Sequence, residues 1–227
     1  MKRKKSKPRI VSTRPRIPLL SRISVETGIS FLLKALLLLT IPVEIYNGEY
    51  AIATGVLITL IVSLLPSMLS RSLQINLPWE IDLIITLVVF AHAFLGYFLD
   101  LYHLVPGFDK FLHFASTAMI SILSFMIYYS FYFTGYIRLR HGALFLFIIL
   151  TATALGGFWE IIEYTIDNIF HTRMQDGLDD TMWDLIFDVI GGVIAAILGY
   201  LYIKYSRPAY LRRFAIPIAR VFGIRRS

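Results

Sequence analysis

Six apolar runs, each close to the length of a bilayer crossing and separated by short breaks, constrain this chain more than any other feature. A helix needs about 20 residues to cross a hydrocarbon core of about 30 Å. Only helices and closed barrels satisfy their own backbone at that depth. The runs are Val25–Glu44, Tyr50–Ser70, Trp79–Leu99, Phe111–Phe133, Gly142–Phe170 and Thr181–Tyr205. The fifth is long enough to tilt or to extend beyond the lipid. The breaks "YNGEY", "NLPW" and "VPGFD" carry the glycine, proline and asparagine that end helices. Only 16% of the residues are charged, against about 25% in soluble domains. The expected fold is all-α: a polytopic membrane protein whose six-helix transmembrane domain spans 25–205. Basic tails, 1–24 and 206–227, flank it.

Orientation follows from lysine and arginine, which are retained on the cytoplasmic side. With six spans, one side holds the N-terminal tail, Arg71, Arg138, Arg140 and everything from Lys204 onward, and the other holds only Lys110 and Arg173. The expectation is a multi-pass protein of the plasma membrane with both termini cytoplasmic. The basic N-terminus resembles the start of a signal peptide, but no small-residue cleavage site follows it, so the first run is expected to remain as a span. The net charge of +7 resides mainly in the tails. That placement points to topology and anionic lipid, and no nucleic-acid partner is expected. The chain has no cysteine, which excludes disulfides, thiolate metal sites and cysteine nucleophiles. No P-loop, dinucleotide fingerprint, H-E-x-x-H or G-x-S-x-G occurs. The bilayer is the partner that composition implies, and oligomeric state is left open.

The carboxylates are distributed unevenly on this topology. Glu26, Glu80 and Asp82 fall on the cytoplasmic side, and the remainder fall outside. Three helices carry them as stripes. Asp109 and His113 lie four apart in "FDKFLHFAS"; Glu160, Glu163 and Asp167 are spaced by three and four in "GGFWEIIEYTIDN"; Asp180, Asp184 and Asp188 recur every four residues in "LDDTMWDLIFDVIGG". Each set occupies one helical face. At 1.5 Å per residue, Glu160 lies about 10 Å deeper than Asp167, and Asp188 about 12 Å deeper than Asp180. If the three outermost acids share a level, then His113, Glu163 and Asp184 share a second, and Glu160 and Asp188 a third.

Facing stripes would form an electronegative, outward-facing pocket, and so many carboxylates do not all ionise in a low-dielectric cleft without counter-charge. A divalent cation is one solution: oxygen ligands with a single imidazole suit magnesium or manganese, with zinc as a further possibility. On that reading the ligands come from Asp109, His113, Glu163, Asp180, Asp184 and Asp188. Glu160, Glu163 and His113 are the candidate catalytic groups of a metal-dependent enzyme acting on a lipid or lipid-linked substrate. Protonation of some acids is a second solution, and pairing with Lys110, Arg173 or Lys34 a third. The alternatives to an enzyme are a cation or proton-coupled carrier and a non-catalytic structural or sensory membrane protein. His92, in mid-span, reads as a relay or as a hydrogen-bonded interhelical histidine.

The blocks "FDKFLHF", "GGFWEIIEYTIDNIF" and "LDDTMWDLIFDVIGG" together resemble the YjdF-like family of small prokaryotic membrane proteins, whose function is unassigned. The resemblance runs from about Leu77 to Tyr202. It implies shared positions at Asp109, His113, Trp159, Glu160, Glu163, Asp167, Asp180, Asp184 and Asp188. A more distant similarity is to VanZ-like proteins, with Asp188 standing at the position of their late asparagine. Neither implies a reaction.

Overall fold

The computed structural model describes residues 25–138, 140–171 and 174–224. Its elements are α1 (Val25–Asn47), α2 (Tyr50–Ser72), α3 (Trp79–Phe98), α4 (Leu101–Leu104), α5 (Phe108–Phe133), α6 (His141–Phe170), α7 (Leu178–Tyr205) and α8 (Pro208–Val221). No strand occurs among the described residues. Six of these helices, α1, α2, α3, α5, α6 and α7, are long and apolar enough to cross a membrane. The chain is therefore an all-α polytopic bundle. Large apolar side chains such as Phe31, Leu39, Leu150, Phe158 and Leu198 are exposed along the spans, a distribution suited to lipid and unusual on a soluble surface. The N-terminal basic tail and Arg173 lie outside the described residues.

Successive spans alternate in direction. The connections after α1, α3 and α6 thus share one end of the bundle, the acidic end, and those after α2, α5 and α7 share the basic end. The helices form two groups. The first, α1 to α3, packs around Leu37, Val56, Phe90 and Ala93. The second packs around Phe125, Met126, Tyr129, Ile148 and Ala196, with Leu211 and Phe214 of α8. Helix α5 joins them, packing against α3, α6, α7 and α8. With no hydrophobic driving force between helices in lipid, close approach through small residues replaces it. Gly191, Gly192, Ala195, Ala196 and Gly199 supply a buried stripe of such residues on α7. A Cβ at Gly191 would lie 2.6 Å from the Phe114 carbonyl oxygen of α5.

The segment 206–227, read from the sequence as a basic tail, contains α8. Leu211, Phe214, Ala215, Ile218 and Ala219 recur at helical spacing and are buried, while Arg212, Arg213 and Arg220 stay exposed. The arginines make the segment basic on average and conceal its apolar face. Arg213 Nη2 donates to Glu80 Oε1 at 3.0 Å, tying α8 to the start of α3. Lys34, in mid-α1, is paired as well: its Nζ donates to Asp82 Oδ1 of α3 at 2.7 Å. Ser30 also donates to Asp82. Glu44 is buried near the acidic end of α1.

The α5–α7 contact gives a direct test. Gly191→Ala should lower the melting temperature of the purified protein, since overpacking of this kind costs about 1–3 kcal/mol. Gly28→Ala, where an added Cβ meets nothing, should leave the melt unchanged or raise it slightly. Equal melting of Gly191→Ala and the unaltered chain would mean that α5 and α7 do not approach so closely.

Candidate metal centre

Gly107, with φ of +78°, turns the chain into α5. The turn places Asp109 and Lys110 in the first helical turn and His113 one turn deeper. The Asp180, Asp184 and Asp188 stripe of α7 faces them, and α6 contributes Glu160 and Glu163. All of these acids lie on three helices that pack on one another. His113, Glu160, Glu163, Asp184 and Asp188 are buried.

Lys110 is the nearest counter-charge. Its Nζ donates to Asp109 Oδ2 at 3.0 Å and to Asp184 Oδ2 at 2.9 Å, and it also donates to Asp180. Asp184 Oδ1 is equally near the ammonium, at 2.9 Å, but accepts no hydrogen bond from any described residue. Asp180 accepts in addition from the Asp176 backbone N–H at 3.2 Å.

Beside the lysine, three carboxylate oxygens surround one imidazole nitrogen. His113 Nε2 lies 3.7 Å from Glu160 Oε1, 3.9 Å from Asp109 Oδ1 and 3.9 Å from Asp184 Oδ1. These separations are too long for hydrogen bonds. The separations to Asp109 and Asp184 do suit ligands of a common ion, because two atoms bonded to one metal at about 2.1 Å lie no more than about 4.2 Å apart. Asp109, His113 and Asp184 each offer a ligand atom, all within 4.8 Å of one another. Glu160 Oε1 is buried and accepts no hydrogen bond from any described residue, an expensive state for a carboxylate without a cation.

The other imidazole nitrogen faces Asp188, whose Oδ1 is 3.3 Å from Nδ1. Thr117 Oγ1 donates to that same oxygen at 2.5 Å. The Asp188 carboxylate occupies the space left by the missing side chain of Gly156, where a Cβ would collide with it. A carboxylate holding the far N–H of a histidine is the usual support for a metal-ligating imidazole.

The shared levels drawn from the sequence and the contacts in the structure differ by about a turn on α6. Glu160 reaches His113, whereas Glu163 accepts from Trp159 Nε1 at 2.8 Å. Asp180 meets Lys110, and Asp188 meets the back of His113. Asp167 serves the connection to α7, accepting from the backbone N–H groups of Met174 at 2.8 Å and Gln175 at 3.0 Å. Gln175 in turn donates to Glu160 Oε2 at 3.0 Å. Sequence reasoning missed Thr117 and Gln175 as positioning groups. Single polar residues without periodicity carried no signal there.

A chamber of about 270 Å³ opens beneath the cluster, with His113 and Asp188 in its wall. Val88, Ile120, Leu155, Phe158 and Ile162 make most of the remainder apolar. His92 borders it from the π-helical last part of α3, Ala91–Phe98, a form of winding often found at functional sites. Its Nδ1 is 2.7 Å from the Tyr102 hydroxyl and its Nε2 is 3.2 Å from Ser116 Oγ. Burial pushes the Tyr102 phenol above its usual range, so its hydroxyl stays protonated beside the imidazole. His92 is thus an interhelical, hydrogen-bonded histidine.

A family model described as "Predicted membrane protein (DUF2238)" matches residues 28–205. The chain belongs to that family. It is 32% identical over 180 residues, 77% of this chain and 90% of the relative, to a Thermotoga maritima protein described as uncharacterized. Both matches fit the YjdF-like resemblance. No solved structure matches. The matched range includes every residue of the cluster and ends before α8.

Replacing the resident cation tests the arrangement. Lys110→Met should destabilise the chelator-treated protein by about 3 kcal/mol, because it strands carboxylates that it now neutralises. Asp180→Asn, which removes one of three acids on that ammonium, should lose less. Thermal melts in detergent compare the two, and a neutral Lys110→Met would contradict the pairing.

Proposed function

We propose that this protein binds a divalent cation between Asp109, His113, Glu160 and Asp184 and acts as a metal-dependent enzyme on a lipid or lipid-linked head group. The observation that carries the reading is the trio of carboxylate oxygens 3.7–3.9 Å around His113 Nε2, one of them, Glu160 Oε1, buried and without a hydrogen bond from any described residue. One imidazole with hard oxygen donors suits magnesium or manganese, and zinc accepts the same set. A bound cation of this kind activates water and polarises a carbonyl or phosphoryl oxygen.

The residues divide the work. Asp109, His113 and Asp184 hold the ion, and Asp188 with Thr117 orients His113. Glu160 completes the ligand set, and Glu163, one turn away and anchored by Trp159, is the general base. Lys110 offsets charge on the far side of Asp109 and Asp184. The apolar chamber beneath His113 supports a lipid substrate, since it takes hydrocarbon while the head group stays at the acidic end. A carrier is less well supported: it needs a polar route to the basic end, and Val88 and Ile120 stand below His92 and Ser116.

The acidic end faces outward on this proposal, with both termini in the cytoplasm of a plasma-membrane protein. Reporters fused after Tyr205 and within 175–178 should report opposite sides of the membrane. Reporters on one side would remove the outward assignment.

Magnesium, manganese or zinc should raise the melting temperature of chelator-treated protein. The gain at a hundredfold excess over the dissociation constant is about 2.7 kcal/mol. Asp184→Asn should abolish that gain while leaving a folded protein, and elemental analysis should find about one ion per chain. Melts indifferent to all three ions would end the metal reading.

A further inference from the structure

A second cavity, about 490 Å³, lies at the basic end, with α5 behind it, α3 on one side and α7 with α8 on the other. Ile84, Ile122, Phe125 and Leu198 make its depth apolar, while Glu80 and Arg213 stand at its rim. Ile84 is one helical turn below Glu80, and Leu198 one turn below Tyr202, so the cleft reaches about 6 Å inward from the rim. Its open side is bordered by Leu198, Tyr202 and Tyr210, which are 52%, 43% and 58% exposed. That side faces laterally, toward hydrocarbon. The cleft therefore has the form of an amphiphile: apolar in depth, ionic at the mouth.

The mouth is specific in charge. Arg213 donates from Nη2 to Glu80 Oε1 at 3.0 Å, and its side chain remains 54% exposed. Its guanidinium thus keeps donors free for a phosphate, the anion that its planar fork fits best. Glu80 Oε2 is buried and accepts no hydrogen bond from any described residue. It lacks a donor, and an ammonium supplies three. The two side chains are neutral as a pair, matching a zwitterion better than a net anion. We infer that this cleft holds one glycerophospholipid with a primary-ammonium head group, its phosphate on Arg213, its ammonium on Glu80 Oε2 and an acyl chain against Ile84 and Phe125. The site is separate from the acidic cluster and does not depend on its chemistry.

Native mass spectrometry of the full chain tests this, after incubation in mild detergent with vesicles of equal parts phosphatidylethanolamine, phosphatidylcholine and phosphatidylglycerol. One phosphatidylethanolamine should be retained per chain. Arg213→Ala and Ile84→Trp, one removing the charge and the other filling the cleft, should each reduce retention roughly tenfold, the equivalent of 1.4 kcal/mol. Arg213→Lys should keep most of it, which separates lost binding from lost folding. Glu80→Gln should abolish the preference for ethanolamine over choline. Equal retention of the three lipids, retention unaffected by Arg213→Ala and Ile84→Trp, or a lipid-free dimer closed over this face would each overturn the assignment.

Discussion

Charge neutralisation at membrane depth organises this molecule. An ionised carboxylate in a low-dielectric interior is tolerated only when paired and hydrogen-bonded. Asp184 and Asp188 on α7 meet that condition through Lys110, His113 and Thr117, all of α5, while Glu160 on α6 lies 3.7 Å from His113 without a hydrogen bond to it. The packing of these three helices and the neutralisation of their acids are therefore the same event. A second pair, Lys34 with Asp82, plays the same part for α1 and α3.

Neutralisation is complete at that second pair and incomplete at the acidic end. Lys110 meets Asp109, Asp180 and Asp184 on one side, yet Glu160 Oε1 is left without a hydrogen bond from any described residue. A purely structural network gains nothing from such an oxygen, since burying it unpaired costs about 1–3 kcal/mol or more. This imbalance distinguishes the acidic end from the Lys34–Asp82 pair. Small residues make the geometry attainable: Gly156 leaves room for the Asp188 carboxylate, and Gly191 lets α7 approach the α5 backbone.

The contrast between the ends is instructive. At the acidic end, helical stripes of acids were legible because a spacing of four puts Asp180, Asp184 and Asp188 on one face whatever surrounds them. At the basic end, α8 was not legible. Its apolar positions Leu211, Phe214, Ala215 and Ile218 follow the same spacing, but the neighbouring arginines dominate a reading by charge. The cleft beneath Arg213 was invisible for a further reason: Ile84, Ile122, Phe125 and Leu198 come from three helices far apart in the chain.

What the sequence determined by itself is local. Apolar length decides which segments cross a membrane, and helical periodicity decides which acids share a face. Both depend only on the rise and turn of a single helix. What the tertiary structure decided is which faces meet and at what height. Rise along an axis says nothing of the tilt and offset between axes, so His113 found Glu160 where equal levels had placed Glu163. Rotation about the helix axis likewise turned Asp188 to the back of the imidazole, where Thr117 holds it, and left Asp109, Glu160 and Asp184 at the front.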